Sequence, residues 1–183
     1  MNWLVFFSVL SFGGYFFTNK KPFTYSLKTE VDRKIKAVPI FVIPYVLFFP
    51  YIIFTFFYLD QGMKDVFATS LIICNLAATI FWYLIPNGVV REVIASESFL
   101  AKLINFIYKN DGDTNGFPSG HVFVSLICSY YLALATPSLA LLYWTVGSII
   151  SVSTVFTKQH YLLDILGGLI FAGLAISTTQ LFF

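Results

Sequence analysis

Two histidines are all the chain contains, His121 and His160, and each sits among residues suited to handling an anion. His121 closes the tetrapeptide Pro118-Ser119-Gly120-His121. Ser119 suits the N-cap of a helix, so free backbone N–H groups and the positive end of the helix dipole follow it. Gly120 lets a phosphate approach the backbone with no Cβ in the way. His121 then projects from the first turn, placed to give or take a proton. By average residue usage, this tetrapeptide arises by chance in roughly one chain in a thousand of this size.

His160 lies four residues before Asp164, which puts the two on one helical face. A carboxylate bonded to one ring nitrogen fixes the tautomer and leaves the other nitrogen as a nucleophile. Asp164 also opens an apolar stretch, and an acid placed there marks a functional site by default. The plainer alternatives are a serine cap beside an incidental histidine, and a polar pair reaching the lipid headgroups.

Hydropathy decides what must position these residues. The 183-residue chain is 58% hydrophobic and 11% charged, with apolar runs too long for a soluble core. Stretches near 2–18, 37–59, 66–86, 120–136, 138–156 and 162–182 carry few or no charges, and about 20 apolar residues cross a bilayer. The expected fold is all-α: a multi-pass integral membrane bundle of six transmembrane helices, one domain over 1–183 with the chemistry in 87–164. Residues 2–18 lack a basic leader and a small-residue cleavage site, so they read as a retained helix. Pro39, Pro44 and Pro50 predict kinks in the second span. Gly167, Gly168, Ala172 and Gly173 offer a small-residue packing face on the last. Cys74 and Cys128 fall inside spans and read as packing residues. No zinc-like spacing and no glycine-rich nucleotide loop is present, so no metal, cofactor or nucleic-acid partner is expected.

Counting crossings from the N-terminus places the connections 19–36, 87–118 and 157–161 on one face of the membrane. Both histidines belong to that face, and so do Arg91 after the third span and Lys158 just before His160. Within 87–118, Phe99, Leu100, Leu103, Ile104, Phe106 and Ile107 recur at helical spacing. They predict a short interfacial helix between Ser96-Glu97 and Asn110-Asp111-Gly112. Of the eleven Lys and Arg residues, only Lys64 falls on the opposite face. The positive-inside rule therefore points the motif face to the cytoplasm.

These residues resemble the type 2 phosphatidic acid phosphatase superfamily, which also contains the vanadium haloperoxidases. Its signatures are Lys-x6-Arg-Pro, Pro-Ser-Gly-His and Ser-Arg-x5-His-x3-Asp. The second is complete here, and the third keeps Ser153, His160 and Asp164. The resemblance implies a metal-independent lipid phosphatase. His160 would attack phosphorus to form a phosphohistidine, Asp164 would orient it, and His121 would protonate the leaving oxygen and then activate water. Ser119 and Gly120 would hold phosphate oxygens, with Arg91 and Lys158 supplying positive charge. The substrate would be an anionic phospholipid or isoprenoid phosphate drawn from the membrane lipid, and the site would face the outside or lumen, against the charge count. Three departures stand out: Leu84 replaces the first-signature lysine, Glu92 follows Arg91 in place of proline, and Thr154 replaces the third-signature arginine. Similar departures occur in the branch related to inositol phosphorylceramide synthase. A phospho-headgroup transferase is therefore the alternative, and an inactive lipid-binding membrane protein the third reading.

Overall fold

The computed structural model describes residues 3–91 and 93–183; Glu92 lies outside them. Helices dominate the described residues, as the apolar runs predict. In chain order they are α1 (Trp3–Thr18), α2 (Glu30–Lys34), α3 (Val42–Val46), α4 (Phe48–Tyr58), α5 (Gln61–Leu84), α6 (Phe99–Asn110), α7 (Gly120–Ala135), α8 (Ala140–Phe156) and α9 (Leu162–Gln180).

Four stretches, Pro39–Tyr58, Gln61–Leu84, Pro137–Phe156 and Leu162–Gln180, are long and apolar enough to cross a bilayer, which is compatible with an integral membrane protein. The other two expected spans are shorter, as Phe6–Thr18 and Gly120–Ala135. At its rise per residue α7 is about 24 Å long, against a hydrocarbon layer of about 30 Å. Its surroundings explain how a short helix serves. α7 packs against α4, α5, α8 and α9, and every residue from Val122 to Ser129 is buried. It is the core of the bundle, enclosed by helices rather than matched to lipid.

Hydroxyl groups lock α7 in register. Ser129 Oγ donates to the Tyr143 carbonyl at 2.9 Å and lies 3.0 Å from the Tyr51 hydroxyl. Ser70 Oγ, on α5, meets Tyr131 Oη at 2.7 Å and Thr179 Oγ1 at 2.9 Å. Such bonds hold helices together where packing partners are all apolar.

Proline shapes the second span as expected. A 3-10 turn, Pro39–Phe41, leads into α3, and regular helix lapses at Leu47 before α4. Pro50 cannot donate to the carbonyl of Val46, and its ring crowds that group.

Glycine sets the distance between α9 and α7. A Cβ on Gly168 would stand 2.6 Å from Val122 Cβ and 3.1 Å from the Ser119 carbonyl oxygen, and one on Gly167 would collide with the Phe117 ring. Gly168→Val should force the two helices apart and lower stability by about 1–3 kcal/mol. Thermal unfolding in detergent checks this, and an unchanged midpoint would show that α9 can shift without cost.

The three connections at one end of the bundle are stapled together. Thr24 N–H donates to the Pro86 carbonyl at 3.1 Å, Val38 N–H to that of Phe156 at 2.9 Å, and Asn19 Nδ2 to Asp111 Oδ1 at 2.7 Å. So 19–36, 87–118 and 157–161 share one face, as the crossing count predicts. The amphipathic helix within them is α6, capped by Ser98 and not by Ser96. It buries Ala101 and Ile104 and leaves Phe99 and Phe106 exposed.

Candidate active site

The first turn of α7 carries His121, and the turn between α8 and α9 carries His160. Their rings lie 6.1 Å apart between centroids, at 61° to one another. The two helix starts are joined directly, because Ser119 N–H donates to the Asp164 carbonyl at 3.1 Å. The two motifs are thus one structural unit, although 39 residues of sequence separate His121 from His160.

His160 is almost fully buried. Its Nδ1 lies 2.8 Å from the Gly116 carbonyl oxygen and 3.5 Å from Asp164 Oδ2. A carbonyl accepts only, so Nδ1 carries the proton and Nε2 keeps its lone pair. The carbonyl therefore makes the tautomer-defining hydrogen bond, where sequence reasoning assigns that part to the carboxylate. Asp164 Oδ2 accepts the Tyr161 N–H at 2.7 Å, so it holds the His160 turn as well as facing the ring. Gly116 itself is tightly packed: a Cβ there would sit 3.1 Å from Asn87 Oδ1 and 3.4 Å from Asp164 Oδ2. Asn87 fastens this loop to the end of α5 by donating to the Phe117 carbonyl at 2.9 Å and accepting the Phe117 N–H.

His121 is held by aromatic faces. Tyr45 of α3 stacks on it with centroids 4.4 Å apart and planes 24° apart, and Phe48 of α4 lies 4.2 Å away at 38°. Tyr45 and Phe48 lie on either side of the break at Leu47. An aromatic face stabilises an imidazolium that forms against it. Tyr45→Leu should lower turnover of an alkyl phosphate by roughly tenfold, the scale of one stacked contact. Tyr45→Phe keeps the ring and should keep most of the rate. Equal losses in the two variants, measured by steady-state kinetics, would assign the effect to the hydroxyl.

Ser119 stands at the N-cap, but its hydroxyl makes no capping bond. Ser119 Oγ, His121 Nε2 and Arg91 Nε are buried polar atoms without a hydrogen-bond partner in the protein, and such atoms ordinarily find one. At Gly120 an added Cβ would meet only Trp82 at 3.8 Å and Phe123 at 3.9 Å. Protein packing does not demand a glycine there.

The two expected basic residues are differently engaged. Arg91 Nη2 donates to the Gly112 carbonyl at 2.7 Å, and Nη1 to that of Asp111 at 3.3 Å. The same guanidinium lies 3.3 Å from Asp113 and 3.6 Å from Asp111 carboxylate oxygens. Lys158 adopts a left-handed backbone, φ 56°, and its Nζ donates to the Asp32 carbonyl at 3.1 Å. Thr154 is fully buried and bonds the Ser151 carbonyl within α8 at 2.7 Å. Leu84, at the other departure, is exposed at the end of α5. Tyr108 of α6 donates to the Thr157 carbonyl at 2.7 Å. Burial pushes this phenol up to about 12 against the opposing Arg91 charge, so it stays a donor and braces the His160 turn.

Residues 40–178 match the PAP2 superfamily, the type 2 phosphatidic acid phosphatases. The chain belongs to this superfamily. The match takes in both histidines, Asp164 and the Tyr45–Phe48 clamp, and it begins after α2. No curated protein and no solved structure matches the chain. PAP2 membership indicates phosphatase-type activity for the chain. Gly116, Asn87, Tyr45 and Phe48 belong to the cluster around His121 and His160 without belonging to a PAP2 signature. The three prolines of the second span predict its kinks but not that Tyr45 and Phe48 meet His121.

Proposed function

We propose that this PAP2 protein is a membrane lipid phosphate phosphatase that hydrolyses a phosphomonoester or diphosphate through a phosphohistidine. The observation that carries the reading is the pairing of His160, with Nδ1 bonded to the Gly116 carbonyl, and His121 at 6.1 Å. One tetrahedral phosphoryl group can bridge that gap.

In the first step His160 Nε2 attacks phosphorus and the bond to the lipid oxygen breaks. His121 gives that oxygen its proton, and the lipid alcohol leaves. Asp164 and the Gly116 carbonyl stabilise the positive ring of His160. In the second step His121 takes a proton from water, the hydroxide oxygen bonds to phosphorus, and phosphate leaves with His160 restored. Ser119 Oγ and the Gly120 N–H, at the start of α7, hold the non-bridging oxygens as charge shifts. Arg91 contributes through its Nε and its charge, and Lys158 through its charge. No step calls on a metal ion or a cofactor.

All six apolar stretches would cross the bilayer in this reading, the short α1 and α7 included, and the substrate would be an anionic phospholipid or isoprenoid phosphate. Reporter fusions at the C-terminus decide whether the site faces the cytoplasm, as the charge count expects, or the outside, as the family resemblance implies. A transferase using the same first step is favoured by Thr154 at the family's arginine position and Leu84 at its lysine position. There an alcohol, not water, would discharge the phosphohistidine. Radiolabelled lipid phosphates, incubated with and without alcohol acceptors, separate the two: free phosphate supports the hydrolase and a labelled acceptor the transferase. Turnover of neither kind would leave the inactive, lipid-binding reading. Vanadate imitates pentavalent phosphorus and should inhibit; full activity at millimolar vanadate (on the order of 1 mM, a typical KM-scale concentration) would count against the covalent route.

A further inference from the structure

The connection 19–36 is basic and mostly solvent-facing, yet one of its residues is sealed inside. Asp32 is 1% exposed, while Lys28, Glu30, Arg33, Lys34 and Lys36 around it are exposed. Its Oδ2 accepts the Thr29 N–H at 2.8 Å and the Thr29 hydroxyl at 2.6 Å, closing the capping box of α2. Its Oδ1 accepts the Leu162 N–H at 3.0 Å, and its carbonyl oxygen accepts Lys158 Nζ at 3.1 Å.

Leu162 and Lys158 stand two residues after and two before His160. Asp32 therefore grips the nucleophile's turn on both sides. Leu162 begins α9, where an unsatisfied N–H and the helix dipole favour a carboxylate. Lys158 is in the left-handed region, which a lysine keeps only when its surroundings hold it there. Asp32 also lies outside the segment matched to the superfamily, so α2 adds a support that the matched region lacks.

We propose that Asp32 is a positioning residue that fixes the 157–162 turn, and through it the direction of His160 Nε2. It touches neither substrate nor reacting atoms. Burial works against its ionisation, but the Thr29 hydroxyl, the Leu162 and Thr29 N–H groups and the Lys158 charge outweigh that and hold its carboxyl below the ordinary value. The role rests on the phosphohistidine reading.

The test is rapid-quench labelling of the full-length protein by a radiolabelled lipid phosphate. Asp32→Ala should slow the labelling rate constant by roughly tenfold or more, since a misplacement on the scale of 1 Å can cost a hundredfold. The labelled fraction of folded protein and the KM should stay near wild type. Asp32→Asn keeps an acceptor for Leu162 and should recover most of the rate. Leu162→Pro removes the N–H at a helix position that suits proline, and should slow labelling in the same direction. A normal rate constant with a reduced labelled fraction would mean that Asp32 only stabilises the fold, and would overturn the proposal. An unchanged rate in Leu162→Pro would overturn it even if Asp32→Ala fails to fold. A wild-type protein that neither labels nor turns over would instead remove the phosphatase reading itself.

Discussion

His160→Ala is expected to abolish turnover, lowering kcat on the order of 10⁴-fold or more, the scale of nucleophile loss in covalent enzymes. No described side chain can take its place. The other histidine, His121, is stacked against Tyr45 and Phe48 in the first turn of α7. The substitution should also eliminate acid-labile, base-stable labelling of the protein by a radiolabelled lipid phosphate. It leaves the Gly116 carbonyl without its ring partner, a loss of about 1–3 kcal/mol, so a thermal-unfolding control must accompany the assay. Phosphate release persisting in a folded His160→Ala protein would sink the covalent mechanism.

His121→Ala should separate substrates by their leaving groups. An alkoxide needs a proton to depart, and a positioned acid is worth about 10²–10⁴-fold; labelling from a lipid phosphate should fall by that amount. A p-nitrophenolate leaves unaided, so labelling from p-nitrophenyl phosphate should be nearly untouched. The second step also loses its base. The phosphohistidine should therefore accumulate with the activated substrate and decay slowly. Equal losses on both substrates, with no accumulation, would take His121 out of the acid–base role. Burst kinetics with the two substrates measure both quantities in one experiment.

The two predictions rest on unequal kinds of information. Pro118-Ser119-Gly120-His121 declares itself locally, because a helix start is a property of adjacent residues. His160 and Asp164 do meet at 3.5 Å, but His160 sits in the turn before α9 and not, as the i, i+4 spacing suggests, on a helical face shared with Asp164. Placing them on one face needed only hydropathy and a count of crossings. The amphipathic α6 and the break in the second span are equally local, the first through periodicity and the second through proline. Span length was less legible. Hydropathy reads α7 as one of six crossings, whereas its neighbours enclose it at 16 residues.

Arg91 shows where type and spacing stop. A basic residue after the third span suggests a phosphate clamp, but which of its donors are already committed depends on Asp111, Gly112 and Asp113, some 20 residues away. Lys158 is similar, since its ammonium reaches a carbonyl 126 residues distant.

By itself, then, the amino-acid sequence determined the chemistry available here: two histidines, an aspartate, a helix start open to an anion, and apolar helices to carry them. Tertiary structure alone decided how those groups are held. The carbonyl that sets the His160 tautomer comes from a residue 44 positions away, the rings on His121 come from the bent second span, and the carboxylate at the start of α9 comes from 130 positions away. A main-chain carbonyl is identical at every residue, an aromatic side chain looks the same on lipid as on an imidazole, and a buried aspartate in a basic loop has no local mark. Only the packing of helices distant in sequence gives each of them its role.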